Sequence, residues 1–154
     1  MCYARRFVFE NFLRLKTDNI LEENETPMIV VDKSWGWEKW FADNSLYFGK
    51  CLYVKKGKWS SFGNFHYHKI KDETFFVISG KLHLEYVIET EKEMEILTLI
   101  LNKGDSFRVK PGVKHRFTST SFLGCKFIEA STTHRDEDSY RCYWDENGNK
   151  WVLV

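Results

Sequence analysis

The chain carries almost no net charge: 23 lysines and arginines stand against 22 aspartates and glutamates, leaving +1. A protein that grips nucleic acid through its phosphates needs an excess of positive charge, so no nucleic-acid partner is expected. The four cysteines, Cys2, Cys51, Cys125 and Cys142, lie far apart and form no CxxC spacing. In a chain of this size that argues against a disulfide scaffold and for a reducing, cytoplasmic setting. No apolar run approaches the ~20 residues of a membrane span, so no membrane partner is expected. The opening MCYARRFVFENFLRLK lacks a clean apolar core and a small-residue cleavage site. It does not read as a secretory signal, and Glu10 and Asp18 weigh against a transit peptide. Internal repeats and low-complexity tracts are absent too.

What the chain does have is aromatic residues, 17% of its 154 positions. That suits a β-rich fold with large inward-facing side chains, and the length suits one domain with a real core. Residues 1–27 read as an N-terminal arm. Phe9, Phe12, Leu13 and Leu15 fit a short helix there only moderately, the alternation around Arg6–Val8 also fits a strand, and Leu21–Pro27 is an acidic connector. Residues 28–154 read as the barrel domain. Met28–Val31 is a short strand, followed by three tryptophans within SWGWEKW (Trp35, Trp37 and Trp40). From Ser45 short strands alternate with turn signals: Leu46–Val54, Phe62–His68, Thr74–Ile78, Lys81–Glu89, Ile96–Leu101, Phe107–Val109, His115–Thr118 and Phe122–Ala130. Many short strands without helical periodicity between them predict an all-β double-sheet jelly roll.

Chemistry concentrates in NFHYHKIKDETFFVISG, Asn64 to Gly80. His66 and His68 are two apart, which on a strand sets both imidazoles on one face. Glu73 follows after the turn-like Lys69–Asp72 and opens a return strand that would bring it back beside them. Two imidazoles and a carboxylate suit a divalent transition metal, and His115 in GDSFRVKPGVKHRF is the natural fourth ligand. The donor set alone does not choose among Zn, Mn, Fe, Ni and Co. Of the other histidines, His83 is expected to be structural or exposed, and His134 to face the mouth of the pocket.

His-x-His, Glu five residues on, Gly80 seven further, and the downstream Gly104-x7-Gly112-x2-His115 resemble the two-part signature of the cupin superfamily. The resemblance implies a double-stranded β-helix, or jelly-roll, barrel with one bound metal at its mouth. Ser60 stands where the first motif has its glycine, with Gly63 nearby, and Pro111 sits one residue late in the second. The flanking stretches KSWGWEKW, SFRVKPGVKHRF and FIEASTTHRDEDSYR resemble the cupin domain of type II mannose-6-phosphate isomerases, with echoes in cupin-type lyxose isomerases. The likeness runs from about Val31 to Gly148. His66 takes the place of that family's glutamine ligand, and Lys71 that of its arginine. Ile128-Glu129 matches its Ile-Glu strand, and Glu137, Asp138 and Arg141 fall in its acidic-plus-arginine segment.

The resemblance implies a metal-dependent sugar or sugar-phosphate isomerase working through a metal-stabilised enediolate. Glu129 is the candidate base, and strand register decides whether it faces the interior or solvent. Arg141 and Lys71 are candidates to hold an anionic substrate group, or else form salt bridges with the acidic residues nearby. The tryptophans either fill the core or form a sugar-stacking wall. Two other readings stand beside the isomerase: an oxygen-using, iron-dependent cupin such as a dioxygenase, and a non-enzymatic metal- or carbohydrate-binding module. A homodimer is expected, with the N-terminal arm contributing.

Overall fold

The computed structural model describes residues 29–90, 93–133 and 135–154. The expected arm, residues 1–27, and His134 lie outside the described residues. The described strands are β1 (Ile29–Lys33), β2 (Gly36–Asp43), β3 (Phe48–Val54), β4 (Phe65–Tyr67), β5 (Glu73–Ser79), β6 (Lys81–Glu89), β7 (Met94–Asn102), β8 (Ser106–Val109), β9 (His115–Ser119), β10 (Cys125–Ser131), β11 (Tyr140–Asp145) and β12 (Lys150–Leu153). They form two six-stranded sheets, ordered β1-β2-β3-β10-β5-β8 and β12-β11-β4-β9-β6-β7. All strand pairings are antiparallel. This is the double-sheet jelly roll the strand spacing predicts.

Period-2 patterning decides which side chains enter the barrel. Phe75 and Val77 of β5, Leu82 and Leu84 of β6, and Phe127 of β10 are buried, whereas Phe76 and Ile78 between them are exposed. The inward row changes character along each strand. On β3 it runs Val54, Leu52, Lys50; on β10, Cys125, Phe127, Glu129; on β5, Val77, Phe75, Glu73; on β9, Ser119, Phe117, His115. Register aligns these changes, since Leu52 pairs with Phe127 and Lys50 with Glu129. One end of the barrel is therefore a packed apolar core and the other an ionic pocket built on its floor. That floor is three phenylalanines in edge contact, with Phe75–Phe127, Phe117–Phe127 and Phe75–Phe117 centroids 5.1, 5.3 and 6.0 Å apart.

Two glycines permit close backbone approach. A Cβ at Gly36 would sit 1.7 Å from the Tyr53 carbonyl oxygen. Gly80, the glycine of the first motif, has φ 79° and would place a Cβ 2.3 Å from the Gly124 carbonyl oxygen. Both positions exclude any larger residue.

The structure departs from the expected strands in three places, the first being the tryptophan stretch, which forms the strand β2 from Gly36 on. Phe62–His68 is not one strand: Ser60–Gly63 forms a 3-10 turn, and pairing begins only at Phe65. Ser61 and Phe62, at φ 52° and 57°, sit in left-handed conformation and break the extended run. Beyond Ala130 the series continues, because β11 and β12 extend the second sheet past β4.

Candidate metal centre and its cavity

The three histidines and Glu73 converge on the ionic end of the barrel. β4 and β9 are neighbours with His66 directly opposite His115, and their ring centroids lie 4.1 Å apart. His68 follows β4, its ring 5.6 Å from His66 and 6.4 Å from His115. Glu73, the first residue of β5, places Oε1 3.5 Å from His68 Nε2 and Oε2 3.4 Å from His115 Nε2.

The outer nitrogens are already committed. His68 Nδ1 lies 2.5 Å from the Asp138 carbonyl oxygen, and His115 Nδ1 3.0 Å from that of Val113. Each Nδ1 must donate its proton to such an acceptor, which leaves Nε2 as a lone pair aimed at the carboxylate. That is the tautomer a metal-ligating histidine needs. Burial lowers both rings to a pKa of about 4 and holds His66 well below its ordinary value, so all three are neutral at pH 7. Burial, reinforced by Glu129 and opposed by Lys71, raises the Glu73 carboxyl to about 8.

Glu73 Oε2 and His115 Nε2 are buried and lack a hydrogen-bond partner. Two lone pairs facing each other at 3.4 Å repel unless a cation or a proton lies between them. In donor type His66, His68, Glu73 and His115 therefore fit a divalent transition metal, and His68 and His115 fit it in tautomer and orientation as well. As the side chains stand, no group of three or more His, Cys, Asp or Glu among the described residues closes tightly enough to hold an ion.

Glu73 has instead a cationic neighbour. Lys71 Nζ lies 2.7 Å from Glu73 Oε1 and 2.5 Å from Glu129 Oε1. Lys71 is 3% exposed, so this is a buried bridge and not a surface pair. Burial alone would lower its pKa, but Glu129 and Glu73 together raise it above the ordinary lysine value. Glu129, 2% exposed, faces the interior and is also held by Lys50 at 3.0 Å. Burial favours its neutral form, but Lys50 and Lys71 outweigh that and keep it ionised well below the usual carboxylate range. Lys50 reaches Glu38 at 3.7 Å, and Glu38 reaches Lys33 at 3.9 Å. Alternating charges thus run from the cavity mouth to the metal ligands.

The cavity has a volume of about 500 Å³. Trp35 and Trp40 line it, Trp35 buried edge-on against Phe117 and Trp40 donating its indole N–H to Glu38 Oε2. Trp37 points outward and stacks on Tyr53. Arg141, opposite His66 in the sheet, also lines the cavity, and its guanidinium has no acidic partner among the described residues. His83 lies on the outer face, 5.3 Å from Trp59.

Lys50, Glu38 and Ser61, whose Oγ lies 3.4 Å from His66 Nδ1, escape a reading of motifs. Asp138 was placed only in the acidic segment, yet it anchors the site. Its carboxylate accepts the backbone N–H groups of Lys69, Ile70 and Lys71 at 2.8, 3.1 and 2.9 Å, fixing the loop between His68 and Glu73. Burial opposes its charge, but those three donors hold its pKa below the ordinary value.

A two-sheet antiparallel barrel with histidines and a carboxylate gathered at one inner end defines a jelly-roll scaffold with a candidate metal centre. The sequence profile of the cupin domain matches residues 51–131, more than half of the chain, and the chain belongs to the cupin family. No curated protein matches it in sequence. Among solved structures it is similar to the capsular polysaccharide assembling protein CapF from Staphylococcus aureus, with TM-score 0.61 and 16% identity over 87% of this chain and 33% of that one. It is also similar to KdgF from Halomonas sp., with TM-score 0.56 and 19% identity over 74% of this chain and 98% of that one. A structure of oxalate decarboxylase from Bacillus subtilis concerned with its Mn(II) centres matches at TM-score 0.62 and 15% identity, over 75% of this chain and 30% of that one. The chain therefore spans about a third of the first and third relatives, and these likenesses establish the fold. No helix among the described residues is long and apolar enough to cross a membrane.

Proposed function

We propose that the chain is a metal-dependent isomerase of sugars or sugar phosphates, similar in its site to the cupin domain of type II mannose-6-phosphate isomerases. The observation that carries this reading is the pair of unsatisfied atoms, Glu73 Oε2 and His115 Nε2, facing each other beside an ionised Glu129. His66, His68, Glu73 and His115 would hold the ion. Bound there, a divalent metal would polarise adjacent sugar oxygens, acidify the carbon-bound proton and stabilise an enediolate.

The remaining parts belong to the chain. Glu129 is ionised at neutral pH, the form a base needs, and Lys71, hydrogen-bonded to it, fixes its orientation. Two ammonium groups make that carboxylate a weak base, so it works only on a proton already acidified. Lys71, with its charge spent on two carboxylates, is a positioning residue; Arg141, which has no acidic partner among the described residues and lines the cavity, is the better anchor for a phosphate or carboxylate group. The likeness to CapF, a capsular polysaccharide assembling protein, lends the carbohydrate reading support at the level of fold.

A second reading is a carbohydrate-binding barrel without metal, favoured by the Lys71 ammonium at 2.7 Å from Glu73. Metal analysis of protein prepared without chelator or metal-affinity resin, beside His68→Ala, separates the two. About one Zn, Mn, Ni or Co per chain, lost in the variant, supports the isomerase and directs assays to aldoses and sugar phosphates. Iron as the dominant metal turns the test to oxygen consumption. No metal under any reconstitution condition overturns the catalytic reading.

A further inference from the structure

Beside the metal-facing cavity lies a second one of about 310 Å³. Trp35, Trp59 and Phe62 line it, with Ser34, Lys58 and two glycines. Ser34, Trp35 and Phe62 line both cavities, so the two are adjacent. Their chemistry differs. The first holds four carboxylates, whereas the second holds none and presents three aromatic rings, a hydroxyl and one ammonium. Flat aromatic faces bordered by a few hydrogen-bonding groups suit the C–H face of a pyranose ring better than an ion.

The walls are held in place. The Trp59 ring meets His83 edge-on at 5.3 Å and carries the Arg116 guanidinium 4.8 Å from its centroid. Arg116 is itself fixed by Glu85 at 2.7 Å and by the Gly63 carbonyl oxygen. Phe62 is the more telling residue. Two consecutive non-glycine residues in left-handed conformation, Ser61 and Phe62, hold its ring 79% exposed on the border between the cavities. At that exposure, burial of the ring does little to offset the conformational cost. Unfavourable backbone that displays an aromatic ring to solvent beside a cavity is the expected form of a ligand-stacking surface.

We propose that the second cavity is a subsite for a second sugar ring. The ligand is then a reducing glycoside, with its reducing sugar in the metal-facing cavity and the next ring against Trp59 and Phe62. The inference rests on the carbohydrate reading above and extends it from one ring to two.

Calorimetric titration of the metal-loaded protein with glucose, maltose, cellobiose and lactose, and with mannose and mannobiose, tests it. At least one disaccharide should bind about tenfold or more tightly than its matching monosaccharide. Trp59→Leu and Phe62→Ala should each pull that ratio towards one, and the exposed Phe62 position makes its variant safe for folding. Equal affinity for one and two rings, or a ratio that survives both substitutions, overturns the subsite and leaves the sugar reading standing. Failure of every mono- and disaccharide to bind overturns both.

Discussion

Lys71 sets up a competition for Glu73. Its ammonium bridges Glu73 and Glu129 in a place that solvent scarcely reaches. A metal drawing Glu73 towards the histidines must displace that ammonium from Oε1. Lys71→Met removes the competitor, so zinc or manganese should bind about tenfold or more tightly in calorimetry. The same change leaves two buried carboxylates without their bridging cation and should cost the metal-free protein about 3–5 kcal/mol in denaturant unfolding. Metal should then rescue the variant by more than it stabilises the wild type. Weaker metal binding by the variant would show that Lys71 supports the site instead of competing for it. The candidate ligands were legible as a group in sequence, because His66, His68, Glu73 and His115 obey a fixed spacing, and the strands do bring them together. Lys50 and Glu38 were not, since each acquires meaning only when sheet register sets Lys50 opposite Glu129. Register likewise decided that Glu129 points inward, which its neighbours in sequence left open.

At the scale of the strand, one alternation does two jobs: it packs the apolar floor and then aims the ionic groups above it. Phe127→Ala should cost about 3–5 kcal/mol, because its ring is fully buried between Phe75 and Phe117. Phe76→Ala, the same chemical change on the outer face at 45% exposure, should stay within about 1 kcal/mol. Similar losses at both positions in denaturant unfolding would contradict the assignment of faces. The strands that alternate cleanly, β5, β6 and β10, were readable from pattern. Phe62–His68 was not, because Ser60 and Ser61 are weak turn formers and the aromatic Phe62, itself left-handed, reads as a strand residue. The hairpin β11–β12 did leave a signal, Asn147-Gly148-Asn149 between Tyr143-Trp144 and Trp151, but it follows the polar acidic segment and lies beyond both histidine motifs.

For the molecule as a whole, electrostatics is local. A net charge of +1 steers no ion from a distance. With Glu73 ionised, the form a metal ligand takes, the metal-facing cavity is balanced as well: Asp32, Glu38, Glu73 and Glu129 are matched by Lys33, Lys50, Lys71 and Arg141, with the three histidines neutral. A divalent ion would leave this enclosed space with a surplus of two positive charges, and low-dielectric walls make such a surplus felt over short distances. An anionic ligand is then attracted only when the metal is present. Mannose 6-phosphate and glucose 6-phosphate should bind the metal-loaded protein more tightly than the corresponding neutral sugars. Chelation with EDTA should abolish that preference while leaving the fold intact by circular dichroism. Arg141→Leu should weaken the sugar phosphates by about tenfold, the value of one charge-assisted pair, and affect neutral sugars little. A preference that persists after chelation would assign phosphate recognition to Arg141 and Lys33 alone; its absence in the loaded protein would make the natural ligand a neutral sugar.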